Sequence, residues 1–298
     1  MSERLQPFHA LAALHLGVLF LSANGLFSKA IDQTALDITF HRSWIAWIAL
    51  LVVVIVVDRE IRLHRGKDYG VAVIMGLLLA GHWVTYFHAM QVSTVAVGMI
   101  ALYTYPVVTA LLEPVFAKTR LDWMDLVSAI IVLLGIYLIL PAIDWQSNMF
   151  QGVVWGVVSA FMFALRNLLQ RYQFGQYSAQ KSLGYQVLIV WIVLLPFFNE
   201  SMPNPVPVPE DQWLGDGWLL ILLGIFFTAL PHGLFAHALR FIKAKSVSLI
   251  ACLQPCYGVL LAFWVLQEQP NWQTLAGGAL IVTAAAIETL HVHKNRQT

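Results

Sequence analysis

Of the 298 residues, 59% are hydrophobic and 11% charged, where soluble domains run about 45 to 50% and about 25%. That shortage of polar surface excludes an ordinary soluble fold and puts the chain in a bilayer. A formal net charge of +1, with no basic patch interleaved with aromatics, gives no reason to expect nucleic acid or another polyanion as partner.

Apolar stretches of about 17 to 25 residues predict the elements, each long enough to cross the hydrocarbon core as a helix. The first run, residues 10–31, follows Arg4, and Leu21-Ser22-Ala23 loosely resembles a signal cleavage site. The run is too long for a signal peptide and predicts a retained span. Lys29 lies near its end, and Arg42 lies near the start of the second run, 38–57. With Asp32 and Asp37 between them, the expectation is a structural ion pair at the outer mouth. The third run, 69–90, carries His82, Trp83 and Tyr86 at mid-span, His88 near its end, and the small pair Gly76 and Ala80.

The fourth run, 94–117, contains Tyr103, Tyr105 and Pro106. Its Glu113 precedes Pro114 and is expected to reach Lys118 or Arg120 in an inner-gate or anchoring salt bridge. Trp123 leads the fifth run, 124–140. The sixth, 150–170, opens on a GxxxG pair, Gly152 and Gly156, suited to close helix approach, and holds Arg166, Asn167 and Gln170. After the seventh run, 182–198, comes a proline-rich, acidic loop at 199–213. The eighth, 218–239, contains Pro231 and His232. The ninth, 246–267, contains Gln254, Pro255 and Tyr257, and Cys252 and Cys256, which suit small buried helix residues better than a metal or disulfide site. The tenth, 272–291, begins at Trp272 and holds Glu288, expected at the interface.

Backbone polar groups cannot stay unpaired in lipid, and these segments are too long for barrel strands, so the fold class is all-α membrane protein with ten transmembrane helices. With the amino terminus cytoplasmic, the inside segments collect Arg4; Arg59, Arg62, Arg65 and Lys67; Lys118 and Arg120; Arg171 and Lys181; Arg240, Lys243 and Lys245; and Lys294 with Arg296. The outside loops hold none. One missed or invented span would destroy this alternation, so both termini are expected inside, in the inner membrane.

The two halves also repeat. His88, Ala89, Pro106, Leu111, Leu112, Trp123 and Leu126 fall on His237, Ala238, Pro255, Leu260, Leu261, Trp272 and Leu275 at a constant offset of 149. Earlier, residues 47–51 fall on 191–195 at an offset of 144, both runs beginning Trp-Ile. The predicted domains are residues 1–145 and 146–298. Five spans in each turn the second copy upside down, the inverted repeat of many transporters.

These features resemble the drug/metabolite transporter superfamily, specifically its EamA type with two tandem five-helix domains, over nearly the whole chain. The landmarks are the proline in the fourth span of each half (Tyr105-Pro106-Val107 and Gln254-Pro255-Cys256), the apolar helix after it, and the Trp-led fifth span after a short charged turn. Glu268 matches the family's acidic residue before that span, whereas Thr119 stands at the aligned position of the first half. The resemblance implies a secondary carrier of small organic solutes, often an exporter of amino acids or related metabolites, with a central cavity between the halves.

The substrate-binding candidates are His82, Trp83, Tyr86, Tyr103, Tyr105, Arg166, Asn167, His232, Gln254 and Tyr257. A mid-membrane guanidinium in a water-filled cavity grips a carboxylate through a bidentate fork; the alternative for Arg166 is to snorkel toward the cytoplasm. His82 and His232 are candidates for proton coupling, because imidazole exchanges protons near neutral pH; a satisfied buried ring is the alternative, and His15 is a lesser candidate. Pro106, Pro231 and Pro255 each remove a backbone hydrogen bond and are expected to kink their helices. Lys29, Arg42 and Glu113 are the gate or ion-pair candidates.

No HExxH, GxSxG or P-loop pattern occurs, so no enzyme activity, metal or cofactor is expected. The expected partners are a small-molecule substrate and the lipid bilayer; a monomer suffices, and the oligomeric state stays open. The competing reading is a membrane-bound haem protein or other membrane enzyme using the intramembrane histidines, which an absorbance spectrum would test. A channel would share the fold but show conductance.

Overall fold

The computed structural model describes residues 6–118, 120–140, 144–198, 216–238, 241, 247 and 250–294. Loop 199–213, Thr119, Arg240, Lys243, Lys245 and the Glu288 side chain lie outside them. The first half runs α1 (Gln6–Ala30), α2 (Ala35–Val57), α3 (Gly66–Val92), α4 (Val95–Leu102), α5 (Tyr105–Ala117) and α6 (Trp123–Ile139). In the second half come α7 (Asn148–Gln173), α8 (Ala179–Leu194), α9 (Asp216–Gly224), a π turn (Ile225–Ala229), α10 (Leu230–Ala238), α11 (Gln254–Leu266) and α12 (Trp272–Lys294). Among the described residues there is no strand.

Local signals begin these helices where the polar loops end. Thr34 accepts from the Asp37 amide and Thr94 from the Val97 amide, while Asp122 and Asp125 form a reciprocal capping box at α6, each pairing a donor that the helix leaves free. Among the described residues seven helical segments are long and apolar enough to cross a membrane, and three shorter apolar helices accompany them: Trp123–Ile139, Gln254–Leu266 and Trp272–Ile287. Val56, Leu133, Tyr137 and Trp264 are exposed, while Arg42, Asp68 and Lys181 are buried. Exposed apolar residues and buried charges are the inverse of a water-soluble surface. Trp123, Trp218 and Trp272 are exposed near helix starts, where aromatic anchors meet the interface.

The packing has the repeat's symmetry. α3 packs on α7 as α10 packs on α1; α5 lies on α7 as α11 lies on α1; α3 meets α8 as α9 and the π turn meet α2. The pairs α2–α8 and α6–α12 map onto themselves when the halves exchange. Trp47 and Trp191, equivalent in the repeat, stack at 6.0 Å and 18°. Lys118 and Gln267, 149 apart, both end their helices at φ 56°. Close approach at the α7 seam depends on the GxxxG pair: a Cβ on Gly156 would lie 2.4 Å from the Ala101 Cβ, nearer than real carbon contacts allow.

Each half carries a break before its proline. α4 stops at a turn through Tyr103 and Thr104, and the equivalent turn at Cys252 and Leu253 precedes α11. Pro106 and Pro255 occupy the second position of the helix that follows, where an amide donor is not needed. Pro231 behaves differently, because α9 and α10 are continuous through the π turn, a wider winding that absorbs the proline. Cys252 is buried, but Cys256 is exposed on α11, which corrects the expectation that both are buried.

Candidate functional site

A cavity of about 190 Å³ lies between the halves. Leu79, His82, Trp83 and Tyr86 reach it from α3; their i, i+3, i+4, i+7 spacing is one helix face. The two broken segments contribute Tyr103 and Tyr105 from one side and Ala251 and Gln254 from the other. Arg166 and Phe163 come from α7, and His232 and Phe235 from α10. Eight of the ten proposed substrate residues therefore meet here: His82, Trp83, Tyr86, Tyr103, Tyr105, Arg166, His232 and Gln254.

The other two are displaced from the lining. Asn167 accepts from Arg166 Nη1 at 3.0 Å, so it holds the guanidinium. Tyr257 pairs with His15 Nδ1 at 3.0 Å, a contact between α11 and α1. Arg166 donates through Nε to Gln186 at 2.6 Å and lines the cavity, so it does not snorkel to the end of α7.

Arg42 departs from expectation. It is buried, lines the cavity, donates through Nη2 to Thr228 at 2.9 Å and stacks over Trp83 at 4.0 Å. The Asp37 carboxylate instead accepts from Thr34 at 2.6 Å, capping its own helix. No ion pair at the mouth forms from these residues: Lys29 donates to the Gln91 and Ser93 carbonyls, both at 3.0 Å. The cause is depth. Arg42 is seven residues into α2, about 10 Å from its start, whereas Asp32 lies in the loop before the helix and Asp37, in its first turn, is turned back to Thr34. Glu113 is salt-bridged, but to Arg171 of α7 at 2.5 Å rather than to Lys118 or Arg120, and it also accepts from Tyr172 at 2.7 Å. α5 packs against α7, which presents Arg171 to the carboxylate, while the left-handed turn at Lys118 carries the chain away from the helix.

Hydrogen bonds assign the imidazole tautomers. Ser159 Oγ donates to the His82 carbonyl at 2.9 Å, so it must accept from His82 Nδ1 at 2.7 Å. His232 Nδ1 lies 2.7 Å from the Thr228 carbonyl, which can only accept. When neutral, both rings therefore carry the proton on Nδ1 and leave Nε2 as the acceptor. Proline also frees carbonyls that other helices take. The Phe227 carbonyl, four residues before Pro231, accepts from Asn24 Nδ2 at 3.0 Å, and the Ala251 carbonyl, four before Pro255, accepts from the Tyr103 hydroxyl at 2.7 Å. Both bonds cross between halves.

The two ends of the bundle differ. One gathers residues 58–68, Glu113 and 171–185: Tyr177 donates to Asp68 at 2.6 Å, Tyr185 to the Ile61 carbonyl at 3.1 Å, and Ser178 to Asp58. At the other end Gln91 donates to the Gln33 carbonyl at 2.8 Å, and both Glu268 oxygens receive the Val95 amide at 3.0 to 3.1 Å. Glu268 thus caps α4 from the opposite half, where the helix dipole favours a carboxylate.

Residues 9–140 and 150–289 each match the EamA-like transporter family. The chain belongs to that family. An Archaeoglobus fulgidus member, named an uncharacterized transporter, is 25% identical over 276 residues, covering 93% of this chain and 94% of its own. The Bacillus subtilis transporter YxxF is 27% identical over 226 residues, 72% of this chain and 68% of its own. A Rickettsia bellii protein named as an S-adenosylmethionine uptake transporter is 21% identical over 273 residues, 90% of this chain and 89% of its own. A solved crystal structure, 18% identical, superposes with a TM-score of 0.63 over 95% of this chain and 97% of its own, so the two share a fold. As a family member the chain is a small-solute transporter, a multi-pass protein of the membrane.

Proposed function

We propose that the protein is a secondary carrier that moves a small organic solute by alternating access, with the cavity between the halves as its substrate site. The observation that carries this reading is that both halves line one cavity through equivalent broken segments, around Tyr105 in one and Gln254 in the other. Irregular backbone at membrane depth is tolerated where it borders a cavity, and such breaks are where carriers hold substrate.

In this reading ten spans form two five-span repeats of opposite orientation, residues 1–145 and 146–298. The end gathering Arg59, Arg62, Arg65 and Lys67 faces the cytoplasm of the inner membrane, as do both termini. Glu268 and Lys29 then close the outer seam, and Glu113 with Arg171 tightens the inner one. Export is the direction that the family resemblance implies. His82 and His232 take up the coupling proton at Nε2. A solute smaller than the one named for the Rickettsia relatives suits this cavity better: about 190 Å³ is below the ~300 to 1,000 Å³ of pockets for drug-sized ligands, and a nucleoside-bearing cation would meet two guanidiniums.

Reconstitution in liposomes tests the reading, with uptake of amino acids, amines, nucleosides and carboxylates measured with and without a pH gradient. Saturable flux accelerated by the gradient is expected. Saturable flux indifferent to the gradient would remove proton coupling alone. Absence of saturable flux for every solute, from monodisperse protein, would sink the carrier reading.

A further inference from the structure

Arg42 and Arg166 line the same cavity, and among the described residues no Asp or Glu lines it with them. A guanidinium stays protonated at any working pH, so this part of the molecule carries two positive charges, one on the buried Arg42 and one on the half-buried Arg166. Their partners within the protein are neutral: Thr228 for Arg42, and Gln186 and Asn167 for Arg166. Such partners orient a guanidinium without cancelling its charge.

Unused hydrogen-bonding capacity collects at the same place. Arg42 Nε and the Tyr86 hydroxyl are buried with no hydrogen-bond partner among the described residues, and so is the Asn24 acceptor Oδ1; all three residues line the cavity. Buried polar groups are nearly always paired, and leaving a charged donor unmade costs more than leaving a neutral one. Two donors and a fixed positive charge suit an anionic oxygen, while a lone acceptor suits a hydroxyl or amine on the same molecule. By helix rise Arg42 lies about 10 Å from the start of α2, and Arg166 about 10 Å from the end of α7. Each therefore sits well inside its helix, where bulk water screens it less than at a helix end.

We infer that the cavity selects small organic anions, and that Arg42, together with the Tyr86 hydroxyl, is a second anion-binding group beside Arg166. This rests on the carrier reading for transport, but binding can be tested apart from it. A carboxylate taken by Arg42 fills its open Nε through a charge-assisted bond, and the aromatic walls cover the body of the solute.

The test uses full-length protein in detergent and in liposomes, with pyruvate, succinate, benzoate and glutamate as anions, alanine and phenylalanine as zwitterions, and putrescine as a cation. At least one anion is expected to raise the melting temperature of the wild-type protein and to show saturable uptake that other anions compete. In Arg42→Gln its KM or Kd should rise tenfold or more, with partial recovery in Arg42→Lys. Stabilisation and flux confined to zwitterions or putrescine would overturn the inference while leaving a carrier standing. So would an anion Kd within twofold of wild type in Arg42→Gln. If Arg42→Gln fails to fold, the wild-type melting series decides: no anion-specific shift refutes the inference. Anion-specific stabilisation without any flux would instead refute the carrier reading and keep the site.

Discussion

The cavity and the basic end of the bundle hold the same residue types in opposite states. At the basic end two of the cations have a carboxylate beside them: Arg171 pairs with Glu113, and Lys181 lies 4.0 Å from Glu60. In the cavity Arg42 and Arg166 have, among the described residues, neutral hydrogen-bond partners only. A buried charge that is paired serves the fold, while one left without its counter-charge is costly to the fold. On the proposed reading, the difference separates residues that hold the helices together from residues that wait for a solute.

Substitutions sharpen that division if cavity changes alter selectivity and basic-end changes alter stability alone. The largest effect is expected from Arg166→Gln, which should raise the KM for anionic solutes tenfold or more in liposome uptake. An unchanged KM would move Arg166 to the structural side. Next, Asp68→Asn weakens a charge-assisted hydrogen bond at a buried site, with a loss of about 1.5 to 3 kcal/mol. Thermal unfolding in detergent should register it, with KM unaltered. Tyr103→Phe releases the Ala251 carbonyl, and bonds of this kind within membranes average about 0.6 kcal/mol. A small fall in melting temperature should follow. The least effect belongs to Glu113→Gln, since Arg171 is 40% exposed and such pairs contribute about 0 to 1 kcal/mol. A large change in solute selectivity from Asp68→Asn or Glu113→Gln would break the comparison.

Much of this arrangement is legible in the amino-acid order. Hydropathy locates the helical segments because lipid requires long apolar runs, and the offset of 149 foretells the equivalent turns at Tyr103 and Cys252. Single polar residues such as His82 and Arg166 stand out against an apolar background. Arg42 was misread because two aspartates lie close in sequence, and proximity along the chain suggested pairing that helical depth prevents. A cue was present in the polar cluster Thr39, His41, Arg42 and Ser43, too many for a lipid-facing stretch. Phe163 and Phe235 escaped notice because apolar residues carry no mark in such a chain. Each lies three residues from a cavity group, Arg166 or His232, and so on the same helix face. Asn24 could be found only by asking which side chain takes the carbonyl that Pro231 leaves without its donor.

The π turn at Ile225–Ala229 has a geometric consequence for the site. A π turn is an α-helix with one residue added, and one residue rotates everything after it by about 100°. His232 and Phe235 follow the turn on α10, and their facing the cavity depends on that added rotation. Deleting one residue from the turn would restore regular winding, swing both rings off the cavity, and shift Pro231 away from the carbonyl that Asn24 now holds. The span would remain as apolar and nearly as long, so hydropathy would register nothing, yet the site would lose one wall. The phase of this helix is thus a property of the site in its own right, set by residue count rather than by residue type.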